Sequence, residues 1–357
     1  MDHEPFRSAD DDAGGWGVTT APPTTTSADS QDHDAEAGSA RDGMGGGALP
    51  RRRAFGAERA FRALTLAAGT TVLVIIVAIA IFLIAKAIPA LRANTANFFT
   101  ETDWFPNEGR FGIAALAFGT VLTSVLALAM AVPVSLGVAL YLSHYAPRRI
   151  ATALGFLIDL LAAVPSVVFG LWGREVLIEP VTDFSAWLHR TFGWLPLFAN
   201  EGPYGRSVLL GSLVLAIMVL PIITSLSREV FAQTPRAYEE AALALGATRW
   251  EMIRMAVLPY GRPGVVAAVM LGLGRALGET IALAMTLGAT VTISFDLIGS
   301  GGNTIAANIA NGFGEASELG RGALIASGLV LFGITLVVNM TARAIIYRRR
   351  EFREVAA

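Results

Sequence analysis

Apolar residues in this chain are gathered into long uncharged runs separated by shorter polar stretches. Runs near residues 63–85, 112–142, 151–173, 207–226, 264–290 and 322–347 each reach the roughly 20 residues that carry a helix across a hydrocarbon core of about 30 Å. Inside such a core a helix satisfies its own backbone hydrogen bonds, so the pattern predicts six membrane-crossing helices. Pro133, Pro165 and Pro221 fall within three of the runs and are expected to kink them. Composition agrees, with 54% of the 357 residues hydrophobic.

The remaining segments differ in charge. Residues 1–50 hold ten acids against Arg7 and Arg41, leaving 19 acids and 25 bases for the rest of the chain. Stretches such as "SADDDAGG" and "APPTTTSADS" carry too little apolar surface to offset the entropy of ordering, so residues 1–55 read as a disordered acidic tail. A basic stretch followed by an apolar run first occurs at "RRRAFGAERAFRALTL", from residue 51, which does not fit a cleavable leader. Seventeen basic residues fall before the first run, in the second and fourth loops and after the last run, against seven in the alternate loops. The positive-inside rule then puts both termini in the cytoplasm of a multi-pass plasma-membrane protein. The expected organisation is a tail (1–55), a first helix with an external loop (56–111), a core (112–347) containing a cytoplasmic loop (227–263), and a basic C-terminus (348–357).

One run is not uniformly apolar. "LGLGRALGETIALAMTLG" (271–288) places Arg275 and Glu279 where an uncompensated charge costs at least a few kcal/mol. At about 100° per residue the two lie some 40° apart on a helix, on a stripe shared with Ala268, Ala282 and Thr286. Counted from Gly264, Arg275 is roughly 17 Å along the run, and Asp159, counted from Ala151, roughly 12 Å, so the three charges are placed to meet. One reading is an ion pair that neutralises itself while Gly274 and Gly278 pack on another helix. The other is a polar lining for a path through the membrane.

The loop at 227–263 contains "TPRAYEEAALALGATRWEMIRMAVLP", which is written as two short helices. Thr234 is placed to cap the first, with Pro235 at its first position and Gly246 as the left-handed residue that ends it. Thr248 and Glu251 form a capping box for a second helix expected to stop at Pro259. "EAALALG" followed by "LP" resembles the EAA motif of ABC importer permeases, matched by Glu240, Ala241, Ala242, Gly246, Leu258 and Pro259. Ala256 stands where that motif usually has isoleucine. The resemblance implies docking of this hairpin into a groove on the transporter's ATPase.

The blocks "LLAAVPSVVFGLWG" (160–173), "GLGRALGETIALAM" (272–285) and "GLVLFGITLVVN" (328–339) look like the PstC-type permease of the phosphate ABC importer, a likeness extending over about residues 100–347. It implies an all-α polytopic membrane protein, a type I ABC importer permease with six transmembrane helices. It also implies a heterodimer with a PstA-type permease, a PstB-type ATPase dimer and a PstS-type phosphate-binding protein outside. On this reading Arg275 offers a forked cationic donor to phosphate. Glu279 or Asp159 accepts a hydrogen bond from its protonated oxygen, and Thr286 shares the lining. Asp159 stands where the family more often has glutamate. A permease for sulfate or molybdate, or a membrane scaffold or receptor that transports nothing, are the competing readings.

Catalytic chemistry is not written in the chain. A P-loop needs a lysine after a glycine-rich loop, and the only lysine, Lys86, lies in "LIAKAIP", so ATP hydrolysis is expected of a separate subunit. Cysteine is absent, and His3, His33, His144 and His189 have no metal-ligand spacing, so each reads as a solvated surface residue. No cofactor, metal or nucleic-acid partner is expected.

Overall fold

The computed structural model describes residues 51–354, with side chains described over residues 58–344. Most of the expected tail and the side chains of the basic C-terminus lie outside the described residues. The tail's last five assigned residues are helical, because α1 (Arg51–Ala93) starts at Arg51. Two compact units are formed, residues 1–68 and 69–357. The described part of the first is the start of α1, where Thr65 Oγ1 donates to Phe61 O at 2.9 Å.

In the second unit α1 continues as an apolar rod whose side chains, including Leu73, Ile79 and Phe82, are exposed as on a lipid-facing helix. Asn94 ends it by clamping the backbone of Phe111, donating to its carbonyl at 2.7 Å and accepting from its N–H at 3.2 Å. Strands β1 (Trp104–Phe105) and β2 (Arg110–Phe111) pair antiparallel in this loop. Helix α2 (Ala114–Leu140) contains Pro133 and passes into a π-helical turn at Tyr141–Tyr145.

The run at 151–173 does not form one straight span. Helix α3 (Arg148–Ala162) ends before Pro165, and the chain resumes as α4 (Ser166–Trp172), a π turn and α5 (Ile178–Phe192). The bend between the two parts is 92°. A proline has no N–H to give the preceding turn and pushes the residue before it out of the helical region, so Pro165 breaks this helix where Pro133 and Pro221 leave theirs continuous. Among the described residues five helices are long and apolar enough to cross a membrane, or six with the bent pair counted as one span.

At the centre stands α6 (Val208–Ala232), 67% buried over its apolar window and packed between α2 and α9 (Leu258–Leu277). Gly264 and Gly272 of α9 face Val230 and Ile223 of α6 so closely that an added Cβ would stand within 2.5 and 2.8 Å of their side chains. This contact and its α2 counterpart hold the main apolar core, with Leu215, Val219, Ile223, Ala276 and Leu283 fully or almost fully buried. The remaining elements are α7 (Arg236–Ala244), α8 (Arg249–Met252), α10 (Ile281–Thr286), α11 (Ile305–Gly312) and α12 (Glu318–Glu354).

Candidate functional site

The run carrying Arg275 and Glu279 is broken between them. Helix α9 ends at Leu277 with Gly278 as its C-cap, and α10 starts at Ile281. The residues explain the break. Gly278 has the weakest helix preference short of proline, Thr280 Oγ1 donates back to Gly278 O at 3.1 Å, and the Glu279 carboxylate accepts the N–H of Ala282 at 3.2 Å. Glu279 is therefore a capping group at the N-terminal end of α10, where its charge is favoured, and it is only 7% exposed.

The shared stripe and the i, i+4 ion pair expected from a continuous helix are thus absent. Arg275 is exposed and, among the described residues, makes no hydrogen bond or ion pair. It lines a cavity of about 600 Å³ with Ile222 of α6, Ala267, Met270, Leu271 and Gly274 of α9, and Asn339, Ala342 and Arg343 of α12. Gly274 meets no atom within 4 Å of a built Cβ, and Gly278 meets only the backbone of its own helix. The glycine-packing alternative for this segment has no partner helix within the described chain.

Asp159 does not join Arg275 or Glu279. It accepts from Ser225 Oγ at 2.7 Å and pairs with Arg228 Nη2 at 3.5 Å, both on α6. Thr286 is fully buried, its hydroxyl donating to Ala282 O at 2.8 Å. Sequence reasoning missed two neighbours of this region. Arg206 Nη2 donates to Ala284 O at 2.9 Å, satisfying one of the carbonyls left open in the last turn of α10. Arg343, counted from sequence only as a topology-setting charge, faces the same cavity as Arg275.

The hairpin at 235–258 follows its caps closely. Pro235 occupies the N-cap of α7, one residue later than expected for Thr234, whose hydroxyl is buried and makes no hydrogen bond. Gly246 takes φ +84°, with Gly246 N donating to Leu243 O at 3.0 Å and Ala247 N to Ala242 O at 3.2 Å. These two bonds are a Schellman turn, which closes a helix with a left-handed residue. Thr248 and Glu251 form the expected capping box. The second helix does not stop at Pro259. It runs through a π turn (Ile253–Val257) into α9, and Pro259, which has no N–H to give the ladder, directly follows that irregular turn.

Apolar side chains on this hairpin face outward. Tyr238 (58%), Leu243 (44%), Leu245 (90%) and Trp250 (56%) are exposed, a concentration unusual for a surface turn unless something covers it. Glu240, Ala241 and Gly246 are exposed alongside them, whereas Ala242, Leu258 and Pro259 are half-buried. Met252, Ile253 and Val257 pin the base into a small core with Ala139 and Phe231.

His144 is not a solvated surface residue. Its Nε2 lies 3.5 Å from Glu239 Oε1 of α7, its Nδ1 is 2.7 Å from Ser143 Oγ, and its side chain is 9% exposed. The contact ties the end of α2 to the hairpin. Replacing His144 with leucine is expected to loosen that tie by about 1 kcal/mol and to lower coupled transport by up to about fivefold, measured as uptake at equal membrane abundance. His189 Nδ1 is 3.0 Å from Phe198 O, a structural contact in the 174–206 loop.

Comparison with known proteins reaches the same elements. Residues 131–351 match the model of the binding-protein-dependent transport system inner membrane component. The chain is 49% identical over 305 residues to the phosphate transport system permease protein PstC 2 of Mycobacterium tuberculosis, covering 84% of this chain and 94% of that one. It is 43% identical over 296 residues to PstC of Xylella fastidiosa, covering 82% and 91%, and 40% identical over 296 residues to PstC of Mesorhizobium japonicum, covering 81% and 89%. A solved chain from a bacterial ABC transporter importing alginate is similar at 16% identity and a TM-score of 0.48, covering 82% of this chain and 99% of that one. A break at Gly278, a capped hairpin continuous with α9 and an extended match across the apolar core thus occur together in a chain that belongs to the inner-membrane permeases of binding-protein-dependent transport systems, within their PstC-type branch.

Proposed function

We propose that this chain is the permease subunit through which an ATP-driven importer moves inorganic phosphate across the plasma membrane. The supporting observation is its identity of 40–49%, over more than four fifths of its length, with permeases named for phosphate transport. Deleting the chain should abolish uptake of phosphate supplied at low concentration while leaving sulfate uptake unchanged. Loss of sulfate uptake instead would assign another oxyanion, and no change in either would leave the chain a non-transporting scaffold.

In this reading the partners are a PstA-type permease, a PstB-type ATPase dimer and a PstS-type binding protein. The ATPase docks on the hairpin at 235–258, with Glu240, Ala241, Ala242 and Gly246 at the contact and Leu258 and Pro259 fixing its base. Exposed Leu245, Tyr238 and Trp250 support this, because apolar side chains on a polar-rimmed turn gain free energy when a groove covers them. Arg275 carries the substrate path, being a guanidinium with no partner among the described residues in a largely apolar cavity. Glu279 sets where α9 ends and α10 begins, Thr286 closes α10 on the inside, and Asp159 shapes the wall through Ser225 and Arg228.

Both termini face the cytoplasm in this scheme. The chain has no native cysteine, so single introduced thiols report sidedness cleanly. Glu201→Cys and Glu315→Cys, both at exposed positions, should react with an impermeant maleimide added outside, and exposed Ala244→Cys only after the membrane is opened. Outside reaction of Ala244→Cys would invert the scheme.

A further inference from the structure

Two guanidiniums line one cavity. Arg275 approaches it from α9 and Arg343 from α12, and the remaining walls are apolar except for Asn339. Among the described residues no carboxylate lines the space, and neither arginine makes an ion pair or hydrogen bond. Asn339 and Arg343 are four residues apart on α12, so both fall on one face of that helix. Two like charges facing the same low-dielectric cleft repel each other and focus a positive potential into it. A doubly charged oxyanion between them reverses the balance, since each guanidinium can hold an oxygen through a charge-assisted fork. The volume of about 600 Å³ equals that of roughly 20 liquid waters, enough for such an ion with part of its hydration shell.

We propose that Arg343, assisted by the Asn339 amide, is a second holding point for the transported oxyanion, facing Arg275 across this cavity. The proposal rests on the reading of Arg275 as the substrate-contacting group. With both termini inside, α12 runs inward, and Arg343, roughly 37 Å from its start at Glu318, is near its inner end. Arg343 then receives the ion after Arg275 and releases it to the cytoplasm. An arginine needed only to anchor the helix in headgroups would do its work facing lipid, and lysine would replace it fully.

The test uses the complete importer in proteoliposomes with radiolabelled inorganic phosphate. Arg343→Gln should lower uptake at least tenfold at unchanged subunit assembly, and Arg343→Lys should retain part of it. A second measurement reads the cavity directly. In the otherwise cysteine-free chain, Asn339→Cys should react faster with an anionic sulfonatoethyl thiosulfonate than with the cationic aminoethyl reagent. Adding Arg343→Gln should lower that rate ratio at least fivefold, and saturating inorganic phosphate should slow the anionic reaction at least threefold.

Uptake within twofold of the parent for Arg343→Gln overturns the proposal, as does a rate ratio that does not respond to Arg343. A ratio that responds only in vesicles containing anionic lipid overturns it too, by assigning Arg343 to a headgroup. So does a thiol shielded from both reagents by the partner permease. If Arg275→Leu stops uptake while Arg343→Gln does not, this inference fails and the reading of Arg275 stands. If Arg343→Gln stops uptake while Arg275→Leu does not, the reading of Arg275 fails and the inference falls with it.

Discussion

Arg275→Leu is expected to lower phosphate uptake by about 10- to 100-fold while leaving the importer assembled at its normal level. The magnitude follows from losing the equivalent of one hydrogen bond to a charged ligand, worth about 1.5–3 kcal/mol, where 1.4 kcal/mol is a factor of ten. Had Arg275 been paired with Glu279, removing one charge would have stranded the other in an apolar setting and destabilised the chain. The geometry removes that ambiguity, because Glu279 is bonded to the N–H of Ala282 and Arg275 pairs with no side chain among the described residues. The single variant is therefore informative by itself. Glu279→Gln keeps an acceptor for the Ala282 N–H and should reduce uptake less than Glu279→Leu, which loses a cap worth about 1 kcal/mol. Normal uptake by well-assembled Arg275→Leu would remove Arg275 from the path.

Gly246→Leu is expected to uncouple the transporter. At φ +84° a side chain with a Cβ costs about 1–2 kcal/mol relative to glycine, enough to shift the Schellman turn and splay α7 from α8. Nothing lies within 4 Å of a Cβ built at this position, so folding of the isolated chain is disturbed only through the backbone. The added leucine would instead project from the exposed hairpin into any surface docked there. Membrane abundance should stay near normal while ATP-driven uptake falls by about 5- to 30-fold, the range that 1–2 kcal/mol sets. Gly246→Asn, which tolerates the left-handed region, should retain much more activity. Full uptake by Gly246→Leu would separate this hairpin from the ATPase contact.

Hydropathy alone located the apolar runs, because the cost of unsatisfied backbone in hydrocarbon makes length and polarity decisive. The glycine turn and the capping box were equally readable, though the Thr234 cap was not formed. Thr248, Glu251 and Gly246 act through neighbours within four residues, so their roles are properties of the sequence itself. What could not be read were competitions between comparable small terms. Gly278 and Glu279 end a helix that hydrophobicity favours continuing, and the Glu279 carboxylate takes up the Ala282 N–H that the break leaves open. Pro165 turns the chain by 92° while Pro133 and Pro221 do not, a difference that the proline itself, common to all three runs, does not signal. Long-range pairs such as His144 with Glu239 and Asp159 with Arg228 join residues 95 and 69 positions apart and leave no local signal.

The helix that should have ended at Pro259 has a mechanical consequence. Because α8, the π turn and α9 run without a break from Arg249 to Leu277, the exposed hairpin and Arg275 are two points on a single strut. They are 26 residues apart, or about 39 Å at a rise of 1.5 Å per residue. Any displacement of the hairpin along this axis therefore reaches Arg275 through one continuous helix rather than through a loop. The wide turn at Ile253–Val257 interrupts the regular hydrogen-bond pattern at the hairpin end of this strut, whereas the shaft beyond is seated against α6 through Gly264 and Gly272.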